Sequence, residues 1–596
     1  MNKNKIDKKY KWNLKDIYEN EEKLKEDIKE CEKLLSYLDE YKEKINISSD
    51  MLFGVYELME KIETKIIKIQ AYAMLNYHMD MSDSKASKLY NEVEDFLSKA
   101  KIANSFVEPE ITNIEEEKLR DFFNQDERLK KYEREINEII KNKKHILTKE
   151  QEYVISKYGN VLESFSNIYD LLCDVDFKFG TIFDENKKEV MLTHANYSLY
   201  VMSNDENVRK QAYETMLKKY KEYINTITQN YLSSVKKDVI TANLRNYSSS
   251  LHKAVESENS TIKVYEKLIE TVNENLPVYH RYLRLKARLL GVEKLNQYDI
   301  FLETLNTNGK KYDFETSKNI VMKVLSLFGD EYTEILSKAF EERWIDVYER
   351  AGKYSGGYNM GVYSVHPYIL LNFVDDIDSL RTLAHELGHC LHSYFSMKNQ
   401  NLFNSDYTIM VAEVASTVNE IILSEYLIKN EKDKKMKAYY LNSLLNVIRG
   451  TLVVQTMFAE FEKKVHEYVE DDIPLSSEEV CNIYENINYR YLGDIVKPDE
   501  YGKYNWARIP HFYRNFYVYK YATGISSAIA IATRILSGDE EYKKRYIEML
   551  KLGGSKDPLE LLRLVDVDLE TDKPVKDAFK YFEEKLIELE NLINEL

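Results

Sequence analysis

The chain has little cysteine, and its four cysteines lie far apart along 596 residues. Cys31, Cys173, Cys390 and Cys481 form no CxxC pair, which argues against a disulfide framework and suits a reducing compartment. We predict that all four are free thiols. The basic opening meets Trp12 and charged residues where a signal peptide needs an apolar region, so we expect a cytoplasmic protein.

Long hydrophobic runs are also missing. The best candidate, "ISSAIAIA", is far shorter than the roughly 20 residues that a membrane span requires. The net charge is -17, and no basic stripe with interleaved aromatics offsets it, so a phosphate backbone would be repelled. The composition therefore argues against both a membrane protein and a nucleic-acid-binding protein.

Proline and glycine are scarce, at 8 and 18 residues, so long stretches run without a helix breaker. Segments such as "STIKVYEKLIETVNENLPVYHRYLRLKARLL" carry apolar residues at three- and four-residue spacing with charges between them. This pattern predicts a mainly α protein. A chain of this length is also expected to contain at least two structural regions.

Two segments interrupt the helical pattern. In "DVDFKFGTIFDENKKEVMLT" the alternation of Val175, Phe177 and Phe179, resumed at Val190 after a polar turn, predicts a β-hairpin. We take it to divide an N-terminal helical region, 1–190, from a second region, 191–596. The segment "YSGGYNMGVYSVHPYILLNF" is first glycine-rich and then apolar, which predicts a small sheet.

The motif "AHELGHCLH" follows that predicted sheet. A helix with Asp378 as its N-cap would place His385 and His389, four residues apart, on one face. Both imidazoles could then bind one zinc ion, with Glu386 beside it as a general base. The mid-helix Gly388 indicates a close approach of another backbone. We therefore expect one catalytic Zn²⁺ per chain, with the second region as the catalytic domain.

The third zinc ligand does not follow from spacing. Phe395 stands where an HExxHxxGxxH pattern needs histidine, and His392 is interpreted either as a residue that supports the metal ligands or as a packing residue. The helical segment "DYTIMVAEVASTVNEIILSEYL" offers Glu413 and Glu420 on one face, seven residues apart. Either Glu420 is the ligand, with a spacing one residue longer than in thermolysin-like peptidases, or Glu413 is the ligand and Glu420 orients a histidine. Periodicity leaves both alternatives open.

The motif segments resemble a known family. "AHELGHCLHSYF" with "VAEVASTVNE" resembles the oligoendopeptidase F group of the thimet-oligopeptidase-like zinc metallopeptidases, and the similarity extends over most of the chain from about residue 115. It implies a prolate, mainly helical molecule whose two halves enclose a deep channel, with a small β-sheet next to the zinc helix. It also implies Glu413 as the third zinc ligand and Glu420 as its supporting residue.

The resemblance further implies oxyanion donors in "RIPHFYRNFYVYKYATG". His511 and Tyr521 match the family's histidine and the tyrosine ten residues later. A related tyrosine would fall on Val518, so an assisting contact passes to Tyr517 or Tyr519. We assign Tyr517 to substrate binding.

We also expect Gly357 and Tyr358 to contact substrate along an edge strand, in a largely sequence-independent way. The function expected is a zinc-dependent endopeptidase that cuts internal bonds of short unfolded oligopeptides. Glu386 would activate the zinc-bound water and pass its proton to the leaving amine. The alternatives are a zinc carboxypeptidase, which trims peptide C-termini, and a non-catalytic peptide-binding helical protein. The sequence predicts no oligomeric state.

Overall fold

The structure is a computed structural model that describes residues 6–303, 305 and 310–596. The chain forms two compact units, each assembled from three segments. The first unit comprises Met1–Lys144, Gly309–Tyr426 and Ile531–Asp566, and the second comprises His145–Asn308, Leu427–Ala530 and Val567–Leu596. The predicted division into an N-terminal helical region, 1–190, and a catalytic region, 191–596, stays a prediction.

The described residues are mostly helical, as predicted. The α-helices in chain order are α1 Glu21–Tyr37, α2 Ser49–Met79, α3 Ser84–Asn104, α4 Val107–Thr112, α5 Glu116–Gln125, α6 Glu133–Lys141, α7 Lys149–Leu162, α8 Ser164–Asp170, α9 His194–Val201, α10 Glu206–Glu222, α11 Ile224–Leu244, α12 Ser250–Glu256, α13 Ile262–Leu290, α14 Phe314–Leu325, α15 Asp330–Glu341, α16 Ile377–Asn399, α17 Leu402–Ser405, α18 Ile409–Asn430, α19 Lys434–Ile448, α20 Gln455–Glu470, α21 Ser477–Leu492, α22 Tyr519–Leu536, α23 Glu540–Lys551, α24 Pro558–Arg563 and α25 Lys573–Asn594. The β-strands are β1 Thr181–Phe183, β2 Glu189–Met191, β3 Ile345–Tyr348, β4 Tyr358–Met360 and β5 Tyr368–Phe373. No helix in the described ranges is both long enough and apolar enough to cross a membrane.

The predicted small sheet is present in the first unit. Its order is β3-β5-β4, with β3 parallel and β4 antiparallel to the central strand β5. The central strand is an almost unbroken apolar run, and Ile369 and Leu370 are both fully buried, as expected for a strand covered on both faces. The strand β4 lies at the edge of the sheet, and α16 packs against both β4 and β5.

The N-terminal segment fixes this sheet to the core of the first unit. The indole of Trp12 packs edge-on against the ring of Tyr368, with ring centroids 6.1 Å apart. The Tyr368 hydroxyl donates to the carbonyl of Asn13 at 3.1 Å, and the Arg343 Nε donates to the carbonyl of Lys11 at 3.0 Å. Side chains of β5 thereby join the apolar core that helices α1 to α6 build.

The predicted hairpin also forms, but it starts later than expected. In the antiparallel pair β1–β2, Ile182 is opposite Val190. Val175 lies in a π-helical turn, Leu171–Asp176, so the alternating residues before Gly180 are not strand residues. The reason is that the helical hydrogen bonding of α8 continues through this turn before the chain extends.

In the second unit, the long helix α13 is a central element. It is capped at its N-terminus by the Thr261 side chain, and at its C-terminus by Gly291, whose φ of 68° suits glycine. Along its buried face, Tyr265 donates to the carbonyl of Ala459 in α20 at 2.7 Å. Tyrosines therefore pack with their rings in the core while their hydroxyls bond to neighbouring helices.

Candidate metal centre

The helix α16 carries the HExxH motif. Its N-cap is Asp376, whose side chain accepts a hydrogen bond from the backbone N–H of Ser379 at 2.8 Å. The predicted cap, Asp378, is therefore wrong by two residues and lies in the first turn. Both aspartates precede the apolar stripe, and the extended backbone at Asp376 decides between them.

The two motif histidines converge as their spacing predicts. The Nε2 atoms of His385 and His389 lie 3.2 Å apart, and Oε2 of Glu413 lies 3.8 Å from Nε2 of His385. One ligand atom from each of the three residues can be chosen so that all lie within 4.8 Å of one another. Two imidazole nitrogens and one carboxylate oxygen match the three protein ligands of a catalytic zinc site.

A close contact between two helices brings Glu413 to the histidines. A Cβ atom added to Gly388 of α16 would lie 2.6 Å from Cα of Ser416 and 2.8 Å from the carbonyl oxygen of Ala415, both in α18. Real side chains do not approach so closely, so only glycine fits at this crossing. The close backbone approach expected at Gly388 is confirmed.

Glu420 lies at the other nitrogen of the first histidine. Its Oε1 atom is 2.5 Å from Nδ1 of His385. A carboxylate can only accept, so Nδ1 carries a proton, and Nε2 is the nitrogen that faces His389 and Glu413 and could bind a metal. Geometry thus favours Glu413 as the ligand and Glu420 as the orienting residue.

The electrostatics of the two histidines differ. Burial lowers the pKa of His385, but the hydrogen bond and charge of Glu420 outweigh it and raise the pKa to about 9. Burial and the neighbouring His385 lower the pKa of His389 to about 3. A metal ion that binds His385 must therefore displace a proton. His389 is already neutral and can bind a metal without losing one.

Glu386, which directly follows His385, is a buried carboxyl group. It is only 6% exposed, and its Oε2 atom is buried without a hydrogen-bond partner in the described residues. Burial is the main cause that raises its pKa to about 7, with further increases from the charges of Glu413 and Glu420 and an opposing decrease from His385. A carboxyl group that titrates near neutral pH suits a general acid–base.

His385, His389 and Glu413, which we call the metal-ligand cluster, line a cavity of about 1020 Å³ within the first unit. The edge strand β4 forms one side of it, and Gly357 lies beside the Glu386 carboxylate, because a Cβ there would be 3.5 Å from Oε1. Tyr358 is held by a hydrogen bond of 2.8 Å between its hydroxyl and Nδ1 of His78. The predicted substrate-binding residues Gly357 and Tyr358 therefore line the same cavity as the metal-ligand cluster.

His511, Tyr517 and Tyr521 form a ring cluster in the second unit. The ring of His511 lies 6.1 Å from each of the two tyrosine rings, and the tyrosine rings are 5.5 Å apart. Helix α22 begins only at Tyr519, so Tyr517 precedes it, yet Tyr517 still contacts Tyr521. Tyr519 packs instead against Tyr265, with ring centroids 5.0 Å apart. Of the two alternatives, the structure therefore places Tyr517 beside Tyr521.

A buried carboxyl group that the sequence analysis missed supports this segment. Oε1 of Glu462, in α20, accepts a hydrogen bond from the backbone N–H of Phe516 at 2.7 Å. Phe516 has an unusual positive φ of 52° and lies between His511 and Tyr521. The available sequence signal was an acid within an apolar stripe, since Phe458 and Val465 flank Glu462 on one helical face.

His392 and Cys390, which lie next to the motif histidines in the sequence, pack in the core. His392 is fully buried, its ring stacks on Tyr407 with centroids 3.7 Å apart, and neither of its ring nitrogens has a hydrogen-bond partner in the described residues. Burial lowers the pKa of His392 to about 3. Cys390 is fully buried as a free thiol. His392 thus belongs to the core, which is the second of the two roles expected for it, and the sequence did not predict its stacking on Tyr407.

Comparison with known proteins places the chain in a family. Residues 199–581 match the model of peptidase family M3, and residues 110–179 match the Oligopeptidase F model. Oligopeptidase PepF of Bacillus subtilis is 37% identical over 98% of this chain and 87% of its own length. An oligoendopeptidase F homolog of Lactococcus lactis is 35% identical over 99% of this chain and 98% of its own length.

Solved structures agree with these relatives. A structure from Chlamydophila abortus has a TM-score of 0.91 and 30% identity, with 99% of each chain covered. The oligoendopeptidase F structure from Enterococcus faecium has a TM-score of 0.74 and 32% identity, covering 97% of this chain and all of its own.

A mainly helical fold with an HExxH helix and a glutamate from a second helix defines a metallopeptidase. The chain belongs to peptidase family M3 and, within it, to the oligoendopeptidase F group. It is a metalloendopeptidase of the oligopeptidase type.

Proposed function

We propose that the protein is a zinc-dependent endopeptidase that hydrolyses internal bonds of short unfolded oligopeptides. The observation that carries the metal assignment is the convergence of His385, His389 and Glu413, one ligand atom from each lying within 4.8 Å of the others. The donor set of two imidazoles and one carboxylate fits zinc, and the hydrogen bond between Glu420 and Nδ1 of His385 leaves Nε2 facing His389 and Glu413. When bound, zinc would supply Lewis-acid chemistry, lowering the pKa of water toward about 7.

Glu386 transfers the proton in the proposed reaction. Its carboxylate takes a proton from water as the water oxygen bonds to the peptide carbonyl carbon. It then delivers that proton to the amide nitrogen as the carbon–nitrogen bond breaks. This role is supported by its pKa of about 7, raised chiefly by burial, and by the absence of a partner for Oε2 in the described residues.

His511 and Tyr521 are proposed to stabilise the negative charge that develops on the peptide carbonyl oxygen. Support comes from their packing as one ring cluster with Tyr517 and from the resemblance of this segment to the family's histidine and tyrosine. Burial and the charge of Arg514 lower the pKa of His511. A neutral imidazole can still donate one N–H.

The edge strand β4 is proposed to bind the substrate backbone. Only one side of β4 pairs with β5. An extended peptide could add to the other side through main-chain hydrogen bonds, which do not depend on sequence. Gly357 precedes this strand and adjoins Glu386, so a peptide along β4 would reach the general base.

The decisive experiment compares wild type with Glu386→Gln on a pool of peptides, together with metal analysis. We expect about one zinc ion per chain in both proteins, with turnover lost by at least about 1000-fold in the variant. Equal turnover in the two proteins, or stable binding of zinc after replacement of His389 by alanine, would overturn the assignment.

The position of cleavage is tested with one peptide that is amidated at its C-terminus. The endopeptidase function predicts internal fragments by mass spectrometry. A ladder of products shortened by one or two residues from a free C-terminus, with no cleavage of the amidated peptide, would instead identify a carboxypeptidase.

The proposed location is the cytoplasm. Each of the four cysteines, Cys31, Cys173, Cys390 and Cys481, is buried as a free thiol, which suits a reducing compartment. Fractionation of the producing cell checks this: recovery of the protein with a secreted fraction would contradict it.

A further inference from the structure

The second unit contains a cavity of about 200 Å³ that is separate from the metal-ligand cluster of the first unit. One wall is a π-helical turn, Arg449–Val454, and another is the 3₁₀ segment Gly502–Arg508. Helices α10, α13, α20 and α21 and the 3₁₀ segment Gln297–Phe301 also contribute to the lining. π-helical turns are rare and frequently occur at functional sites, so this wall is notable.

The cavity is mainly apolar and aromatic. Its lining includes the rings of Tyr279, Tyr484 and Tyr491 and the side chains of Ile300, Met457 and Phe458. Two of the tyrosine hydroxyls are already engaged: that of Tyr484 accepts from Nδ2 of Asn505 at 3.2 Å, and that of Tyr491 donates to Oε2 of Glu460 at 3.0 Å. These rings therefore contribute apolar surface to the cavity more than hydrogen-bonding capacity.

Two donors at the cavity have no acceptor among the described residues. Nε of Arg449 is buried without a hydrogen-bond partner, while the same guanidinium group hydrogen-bonds to the side chain of Tyr279. Gln297 is 6% exposed, and its Nε2 atom is also without a partner. A buried donor atom without an acceptor is costly, and one that belongs to a charged group is more so, which makes both atoms unusual, although the Arg449 side chain as a whole is only partly buried.

The charge of the lining has one sign. Arg508 is the second basic residue of the cavity, and the described lining includes no aspartate or glutamate. This contrasts with the net charge of -17 of the whole chain. A ligand with an ammonium group would find no carboxylate here, so amines, free amino acids and unmodified peptides fit poorly. A ligand with an anionic acceptor group and an apolar body fits both the donors and the rings.

We propose that this cavity binds a small organic monocarboxylate with an apolar, ring-sized body. The carboxylate accepts hydrogen bonds from Arg449 and Gln297, and the body packs among Tyr279, Tyr484 and Met457. An apolar cavity of about 150 Å³ is known to hold benzene, so about 200 Å³ admits a ring with a short side chain. The site does not depend on the proposed peptidase mechanism.

The probe is 3-phenylpropanoate, compared with its neutral amide and with 3-phenylpropylamine, by titration calorimetry on the zinc-loaded protein. We expect a Kd below about 1 mM for the acid, in the range open to a ligand of this size. Binding of the amide and of the amine should be at least about tenfold weaker, because neither supplies an anion to the guanidinium. Equal affinity for acid and amide, or no binding of the acid, overturns the proposal.

Three variants locate the site. Arg449→Met removes the charge and is expected to weaken binding by about 10- to 100-fold. Gly450→Leu fills the space, because a Cβ at Gly450 meets no atom within 4 Å, and should abolish binding while the helix is kept. His389→Gln removes a ligand of the metal cluster, which could itself attract a carboxylate, and should leave binding unchanged.

The outcomes separate the two sites. Loss of binding in Arg449→Met and Gly450→Leu, with retention in His389→Gln, supports the cavity. The reverse pattern means that the probe binds the metal and overturns the proposal. Circular dichroism of each variant shows whether it folds, and the acid-to-amide ratio of wild type tests the ligand class without any variant.

Discussion

Oε1 of Glu420 lies 2.5 Å from Nδ1 of His385, whereas Oε2 of Glu413 lies 3.8 Å from Nε2 of the same ring. One imidazole thus lies between two carboxylates, of which Glu420 is proposed to orient the ring and Glu413 to be a metal ligand. Glu420→Gln removes the charge that fixes the ring, so zinc affinity is expected to fall by about 10- to 100-fold. A competition titration against a chelator measures this change.

The matched control for that variant is Glu425→Gln, on the same helix but outside the metal-ligand cluster. It should leave zinc affinity within about twofold of wild type. At saturating zinc, Glu420→Gln should recover much of its turnover. Unchanged zinc affinity in Glu420→Gln would show that the glutamate does not orient His385.

The crossing of α16 and α18 at Gly388 gives a second prediction. Gly388→Ala would gain up to about 1 kcal/mol of helix propensity, but its Cβ would lie 2.6 Å from the backbone of Ser416. Separating the helices costs about 1–3 kcal/mol and moves Glu413 away from the histidines. We expect a lower melting temperature together with weaker zinc binding.

Gly159→Ala in α7 is the control, because a Cβ there meets no atom within 4 Å. It should leave zinc binding unchanged and melt at the same or a slightly higher temperature. If Gly388→Ala bound zinc as tightly as this control, the helix crossing would not determine the position of Glu413.

The histidine pair could be predicted from the sequence because its geometry is local. Four residues separate His385 from His389 on one helix, and that spacing alone places both rings on one face. The small sheet was predicted for a similar reason, since the apolar run of β5 is contiguous. Local patterns of this kind can be read from the sequence because they do not depend on contacts with distant parts of the chain.

The third metal ligand could not be predicted from local spacing. Glu413 and Glu420 are two turns apart on one face of α18, and periodicity treats them alike. What separates them is where α18 crosses α16, a contact between distant backbones at Gly388 and Ser416. The hydrogen bond from Glu462 to Phe516 is likewise a contact over 54 residues that no local pattern specifies.

Tyr521→Phe tests the proposed oxyanion donor. Loss of one such hydroxyl is expected to lower kcat by about 100- to 1000-fold, because the interaction strengthens only as charge develops on the carbonyl oxygen. KM and zinc content should change little. Steady-state kinetics on a single peptide give both parameters.

Tyr519→Phe is the matched control two residues earlier. Tyr519 packs against Tyr265 and away from the His511 ring cluster, so loss of its hydroxyl should alter kcat by less than about threefold. Equal effects of the two variants on kcat would indicate that Tyr521 acts through packing alone.

Glu462 gives a prediction for pH dependence. Burial raises its pKa well above the usual value, Asp238 adds to the increase, and the Phe516 N–H opposes it. The proton is therefore held more tightly in the folded state than in the unfolded state. Its stabilising contribution is full below the unfolded pKa, near 4.5, and is lost as pH rises toward the folded value. Other nearby titratable groups include His466, whose Nδ1 donates to the Glu462 carbonyl at 2.9 Å.

Glu462→Gln keeps an oxygen that accepts from Phe516 but carries no ionisable group. Its melting temperature should exceed that of wild type by more at pH 8 than at pH 5, because only the wild type loses stability as this carboxyl ionises. The control is Glu467→Gln, because Glu467 is a partly exposed residue of α20 that is paired with Lys463 and Lys464. The melting-temperature difference between this variant and wild type should not increase with pH. Thermal melts of the three proteins across that range decide the matter. The melting-temperature difference between Glu462→Gln and wild type could instead stay constant or shrink from pH 5 to pH 8. That result would mean that ionisation of Glu462 does not lower the stability of the wild type in this pH range.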